Sequence, residues 1–196
     1  MKKIAVFASG YGSNFQSLVN AEKEGKLHAH IALLVTDRPD SYVVERAKKE
    51  GIPIFAFRPK EFINKSQYEQ MIIQKLQEYK IDWIVLAGYM RIVGKDLLEA
   101  YPNQIINLHP SLLPSFPGKN AIEQAYQYGV KWTGVTVHFV DDGIDTGPIL
   151  LQEVVEIRDD DTIETLEERI HQVEHQLLVK AVNLIVDPSF QWVKRK

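Results

Sequence analysis

Short apolar runs separated by stretches of helical spacing constrain this chain more than any other feature. Lys3–Ala8, His30–Thr36, Ile54–Phe57, Trp83–Ala87 and Gln104–Leu108 are too short for buried helices and show little apolar–polar alternation. They suit strands covered on both faces, and the patterns near Phe15–Glu24, Ser41–Glu50, Ser66–Tyr79 and Lys95–Ala100 are the helices that would cover them. Ser41 is the expected N-cap of the second helix, with Glu45 near its first turn, and Gly51-Ile52-Pro53 stops it. After Leu108 the rhythm changes. A proline-rich loop, Pro110 to Pro117, leads to a helix near Ala121–Tyr128 and then to a long β pair, Trp132–Val140 and Ile149–Val155. Asp159-Asp160-Asp161-Thr162 then opens a long amphipathic helix to about Val186, where acidic residues suit a helix start. The expected fold is α/β: a Rossmann-like open twisted sheet, mostly parallel, with antiparallel strands in the C-terminal half and helices on both faces. Ligands in such a sheet sit outside the carboxyl ends of the strands.

Composition excludes several classes. With 196 residues, 45% hydrophobic and 25% charged, the chain can bury one core and is expected to form a single domain over 1–196. A net charge of -3 argues against a nucleic-acid surface, and the only basic run is Lys194 to Lys196. Zero cysteines leave no disulfide framework and no thiolate metal site, which fits a reducing, cytoplasmic setting. The apolar run after Met1-Lys2-Lys3 is too short for a signal-peptide core and meets Ser9-Gly10 at once, so it reads as a first strand. No stretch approaches the roughly 20 apolar residues of a membrane span, and no membrane contact is expected. Trp83-Ile84-Val85-Leu86 and the Leu177–Val186 stripe read as core, and Trp192 as a tail residue that packs or frays.

Three clusters can carry chemistry. Ser9-Gly10-Tyr11-Gly12-Ser13-Asn14-Phe15 follows the first strand; its glycines let backbone approach an anion, and Ser13 and Asn14 can donate hydrogen bonds. Phe15 stands where the dinucleotide fingerprint has its third glycine, where a side chain would obstruct close packing, so a mononucleotide or sugar phosphate fits better than NAD. A glycine-rich turn without a ligand would read the same. In Asn107-Leu108-His109-Pro110, an amide and an imidazole two residues apart point the same way from a strand end. Together they could stabilise the charge on a carbonyl oxygen under attack, or simply satisfy loop backbone. The Asp141–Pro148 segment, with Asp145, could orient an imidazole, take a proton through water, or solvate a turn. Spacing alone leaves these alternatives open.

Taken together, NLHPSLLPSFPG at Asn107–Gly118 and TVHFVDDGIDTGP at Thr136–Pro148 resemble the signature of the folate-dependent formyltransferases. Gly12–Asn14, Leu86–Val93 and Glu174-His175 fall where the glycinamide-ribonucleotide branch of that family would place them. The resemblance implies transfer of the formyl group of 10-formyltetrahydrofolate to the amine of glycinamide ribonucleotide in purine synthesis, by a monomer or homodimer. It implies catalytic roles for Asn107, His109 and Asp145, and a ribonucleotide site at Gly12, Ser13, Asn14, Phe15 and Glu174. Folate would be bordered by Lys65, Met90, Arg91, Ile92, Val93 and Asn107, with no metal. Residues 1–100 would then form the phosphate and ribonucleotide half, and 101–196 the catalytic and folate half. At Lys65 aligned members carry arginine; lysine keeps the charge and loses the planar fork. Arg91 reads equally as a helix-start charge, His138 as a packed strand residue near the site, and the Pro110–Asn120 loop as mobile or preset by its prolines.

Other readings stay in view. A methionyl-tRNA formyltransferase would be expected to carry a basic extension beyond the catalytic domain, and a formyltetrahydrofolate hydrolase an extra N-terminal domain. A phosphate-binding module without activity would share the first cluster. His171-Gln172-Val173-Glu174-His175 matches an H-x-x-E-H zinc-hydrolase pattern, although only 21 residues follow His175.

Overall fold

The computed structural model describes residues 1–192, so the basic run Lys194 to Lys196 lies outside the described residues. The apolar runs form β1 (Lys2–Phe7), β2 (Ala29–Thr36), β3 (Ile54–Ala56), β4 (Trp83–Leu86) and β5 (Ile105–His109). Between them lie α1 (Ser13–Lys23), α2 (Tyr42–Lys49), α3 (Lys65–Glu78) and α4 (Lys95–Ala100). The remainder is α5 (Ala121–Tyr128), the pair β6 (Trp132–Phe139) and β7 (Ile149–Glu156), and α6 (Ile163–Val186).

All seven strands share one sheet in the order β3-β2-β1-β4-β5-β6-β7. The pairs from β3 to β5 are parallel, whereas β5–β6 and β6–β7 are antiparallel. The chain winds outward from β1 to β3 and then returns to the other side of β1, so the topological switch lies between β1 and β4. A crevice outside their carboxyl ends is where such sheets take ligands.

The two faces are covered unequally. Side chains such as Ile4, Val6, Ile106, Val135 and Val137 pack beneath α1, α2, α5 and α6 in one large cluster. Ala5, Phe7, Leu33, Ile84 and Ile105 pack beneath α3 and α4 in a second cluster that includes no residue of β6 or β7. Beyond Ile105, the second face of β5 and that of β6 are therefore left to loops.

Some element ends differ from expectation. Ser41 holds the N-cap position of α2 without capping it; its hydroxyl donates instead to the Arg38 carbonyl at 2.7 Å. The true cap box lies at α6, where Thr162 accepts from the Thr165 amide and Thr165 accepts from the Thr162 amide. Asp161 accepts from the Thr165 hydroxyl of that first turn at 3.0 Å, accepts from the Arg158 amide at 2.7 Å and pairs with Arg169. β3 stops one residue early, and Phe57 joins an aromatic cluster with Phe55, Phe62 and Tyr68. Trp192 packs at 4.6 Å from the ring of Phe139.

Candidate active site

Strand alternation turns Ile106 and Leu108 into the large core and Asn107 and His109 onto the face that the helices leave uncovered. Antiparallel pairing sets His138 of β6 opposite Asn107 and Thr136 opposite His109. Two loops close over these side chains. The loop after β5 is tied to the sheet: the Thr136 hydroxyl donates to the Ser111 carbonyl at 2.6 Å, and Gln152 Nε2 donates to the Leu113 carbonyl at 3.0 Å. Ser111, fully buried, donates to the Ser115 carbonyl at 2.6 Å. This path puts the Phe116 carbonyl 2.8 Å from His109 Nε2, so that nitrogen carries the hydrogen.

The loop after β6 brings in Asp145, a non-glycine residue in the left-handed region with φ 55, a conformation aspartate tolerates better than most. Its Oδ2 accepts from the Gly118 amide at 2.7 Å and lies 3.4 Å from His109 Nδ1. Its Oδ1 accepts from Asn107 Nδ2 at 3.3 Å and lies 3.5 Å from His138 Nε2. Burial pushes the Asp145 carboxyl upward, but the contact with His138, the Gly118 amide and the two imidazoles outweigh it and hold it below the usual carboxylate range. Asn107 and His109, two residues apart on β5, thus meet Asp145 from the distant loop after β6.

His138 completes the network. Its Nδ1 faces the Phe139 carbonyl at 2.8 Å and must donate there, which leaves Nε2 to accept from Asn107 Nδ2 at 3.1 Å. Both N–H groups of Asn107 are therefore engaged, one by His138 and one by Asp145. To donate to a substrate oxyanion, Asn107 has to release one of them, and the 3.3 Å bond to Asp145 is the longer.

Beyond the carboxyl end of β1, Gly12 has φ 76 and packs so tightly on α2 that a Cβ there would lie 2.5 Å from the Val43 side chain. It opens α1 with no side-chain cap, leaving the first amides of that helix as donors without helical partners. The ring of Phe15 does not obstruct packing, as the sequence suggested: it is fully buried in the large core, and only its backbone amide can line a pocket. Asn14 Nδ2 donates to Glu174 Oε2 at 3.2 Å, while its buried Oδ1 has no partner. Burial raises the Glu174 carboxyl, opposed by the Asn14 bond and by His171. Asn14 and Glu174 therefore form a partly buried polar contact between α1 and α6, with Ser13 next to Asn14 in the chain.

The segment after β4 is a strap held at both ends by buried carboxylates. Ser9 accepts from the Met90 amide at 2.9 Å and donates to Asp37, which also pairs with Arg91 Nε at 2.9 Å. At the other end Glu69 accepts from the Gly94 amide at 2.6 Å. Met90 and Ile92 are 59% and 55% exposed, whereas Val93 is buried in the second core. Arg91 is thus an ion-pair partner of Asp37 rather than a helix-start charge, and Lys65 Nζ lies 3.9 Å from Glu69 beside the strap. In the H-x-x-E-H segment, Glu174 turns to Asn14 and His171 is exposed. Among the described residues no group of three or more His, Asp or Glu could hold a metal ion.

Sequence reasoning passed over Asp37, Glu69 and the full part played by His138. The alternation of Thr136 and His138 within β6 was the available signal for the histidine; nothing local marked the two carboxylates.

An open sheet with a polar constellation at the carboxyl end of β5, beside the switch point between β1 and β4, has the form of a small-molecule enzyme of the α/β class. The chain belongs to the formyl transferase family, whose model matches residues 2–182. It is 54% identical over 176 residues to the phosphoribosylglycinamide formyltransferase of Bacillus subtilis strain 168, covering 90% of each chain. The crystal structure of glycinamide ribonucleotide transformylase 1 from Geobacillus kaustophilus superimposes with a TM-score of 0.93 at 55% identity, covering 95% of this chain and 99% of that one. The trifunctional purine biosynthetic protein adenosine-3 of Drosophila melanogaster is 37% identical over 188 residues, and this chain spans 14% of that longer protein.

Proposed function

We propose that this chain transfers the formyl group of 10-formyltetrahydrofolate to the amine of glycinamide ribonucleotide. The reading is carried by the convergence of Asn107, His109 and Asp145 between two sites of different character. Ser13, Asn14 and Glu174 offer amides for a phosphate and buried polar atoms for sugar hydroxyls. The strap offers exposed Met90 and Ile92 to the faces of a flat ring system, with Lys65 nearby for an acidic group.

In this mechanism the amine nitrogen attacks the formyl carbon, and the carbonyl π electrons move to oxygen. His109 stabilises that oxygen once its Nε2–H turns from the Phe116 carbonyl toward it, with Asn107 as a second donor once it leaves Asp145. Asp145, held ionised, is placed to accept a proton from the attacking amine through water. Collapse of the tetrahedral adduct breaks the bond to the folate nitrogen, which takes up a proton. Release of formylated ribonucleotide and tetrahydrofolate completes the cycle.

Turnover of 10-formyltetrahydrofolate should require glycinamide ribonucleotide, and His109→Ala should lower turnover by roughly 10²–10³-fold, the usual loss for one oxyanion donor. Steady-state assays of both proteins test this; near-wild-type turnover in the variant removes His109 from the mechanism.

A further inference from the structure

The back wall of the phosphate loop is α2, and its Arg46 grips the loop from behind. Arg46 Nε donates to the Tyr11 carbonyl at 2.9 Å, and NH1 donates to Gln16 Oε1 at 3.3 Å. One turn earlier, the Val43 amide donates to the Gly10 carbonyl at 3.1 Å. Because a trans peptide is planar, a carbonyl and the N–H that follows it point in opposite directions. Pulling the Gly10 and Tyr11 carbonyls toward α2 therefore turns the Tyr11 and Gly12 N–H groups away from α2, adding donors beside those that open α1. Successive amides turned the same way form an anion-binding nest.

Arg46 is itself held. The rings of Tyr11 and Tyr42 stack at 4.8 Å and 9°, and the guanidinium carbon lies 4.4 Å and 4.9 Å from their centroids. The two rings are 65% and 52% exposed, so the stack adds little to the core. Its effect is to fix the guanidinium over the loop by cation–π attraction.

We propose that Arg46 is a positioning residue for the phosphate of the ribonucleotide substrate, acting by holding the Tyr11 peptide rather than by its charge. This rests on the reading of Gly12 to Phe15 as the phosphate site. The test compares wild type with Arg46→Met, measuring KM for each substrate and competitive inhibition by inorganic phosphate against the ribonucleotide, at low salt and at about 0.5 M KCl, where distant charges are screened. The expected result is a roughly tenfold rise in KM for the ribonucleotide and in Ki for phosphate, with KM for 10-formyltetrahydrofolate within twofold and the variant-to-wild-type ratio preserved in salt. An unchanged KM, a ratio that collapses in salt, or an equal rise for both substrates overturns the proposal. If Arg46→Met does not fold, Arg46→Lys keeps the charge without the planar fork; a rise of roughly threefold in KM for the ribonucleotide supports the proposal and an unchanged KM overturns it. Wild type that consumes no 10-formyltetrahydrofolate with the ribonucleotide defeats the functional reading as well, whereas normal wild-type activity with an unaltered variant defeats only the role of Arg46.

Discussion

Asp145 shows how a single side chain can be set by its surroundings. Its carboxyl is held low by His138, Gly118 and His109 against the effect of burial. A depressed acid contributes stability above its unfolded pKa, and that contribution is lost as pH falls through the folded value. Between pH 5 and 8 Asp145 therefore stays ionised, and any acid limb it imposes on kcat/KM should lie below about pH 3.9, the ordinary aspartate value. Asp145→Asn should keep substrate binding but lose rate; a selective loss of binding would contradict the proton-handling role. Glu174 has the opposite sign. Its raised carboxyl makes the folded state less stable as pH climbs from the unfolded value of about 4.3 through the higher folded one. Glu174→Gln should therefore raise Tm at pH 7.5, with the gain vanishing near pH 4, while weakening ribonucleotide binding. A Tm that falls at both pH values would show that the carboxylate itself stabilises the fold. Asn107, His109 and Asp145 stood out in the sequence by type and position, their roles only through the resemblance; what was not legible is that His138 and Asp145 occupy both donors of Asn107, because that depends on distances across strands.

At the scale of elements, the loops after β1, β2, β4, β5 and β6 carry polar anchors, among them Ser9, Asp37, Arg91, Ser111 and Asp145. The strap between β4 and α4 depends on Glu69, whose carboxylate meets the Gly94 amide so closely that a Cβ on Gly94 would lie 2.6 Å from it. Gly94→Ala should therefore cost about 1–2 kcal/mol, lowering Tm by several degrees in a domain of this size, and raise KM for 10-formyltetrahydrofolate more than KM for the ribonucleotide. Equal KM values with unchanged Tm would show that the strap tolerates displacement. Strand and helix positions followed from apolar runs and glycine or proline stops, since these act locally. Caps followed less well: Ser41 had the right residue type, but its hydroxyl found the Arg38 carbonyl instead. Buried carboxylates such as Asp37 and Glu69 leave no periodic mark, because their partners come from other loops.

For the whole molecule, alternating strands and helices were enough to anticipate a mostly parallel sheet with an antiparallel end. The order of strands fixes where β1 and β4 part, with the loop after β1 and the strap after β4 at that gap and the β5 cluster on the next strand. The face of β6 and of the carboxyl end of β5 that α3 and α4 do not reach explains why two loops, rather than a helix, cover Asn107, His109 and His138. No spacing rule could have foretold that meeting; only the long motifs shared with a family pointed to it. The most direct measurement follows an isotope label in the formyl group of 10-formyltetrahydrofolate given to the purified protein with glycinamide ribonucleotide. Label appearing in the ribonucleotide in equal amount to the tetrahydrofolate released is the predicted result. Label released as formate, at a rate indifferent to the ribonucleotide, would contradict it.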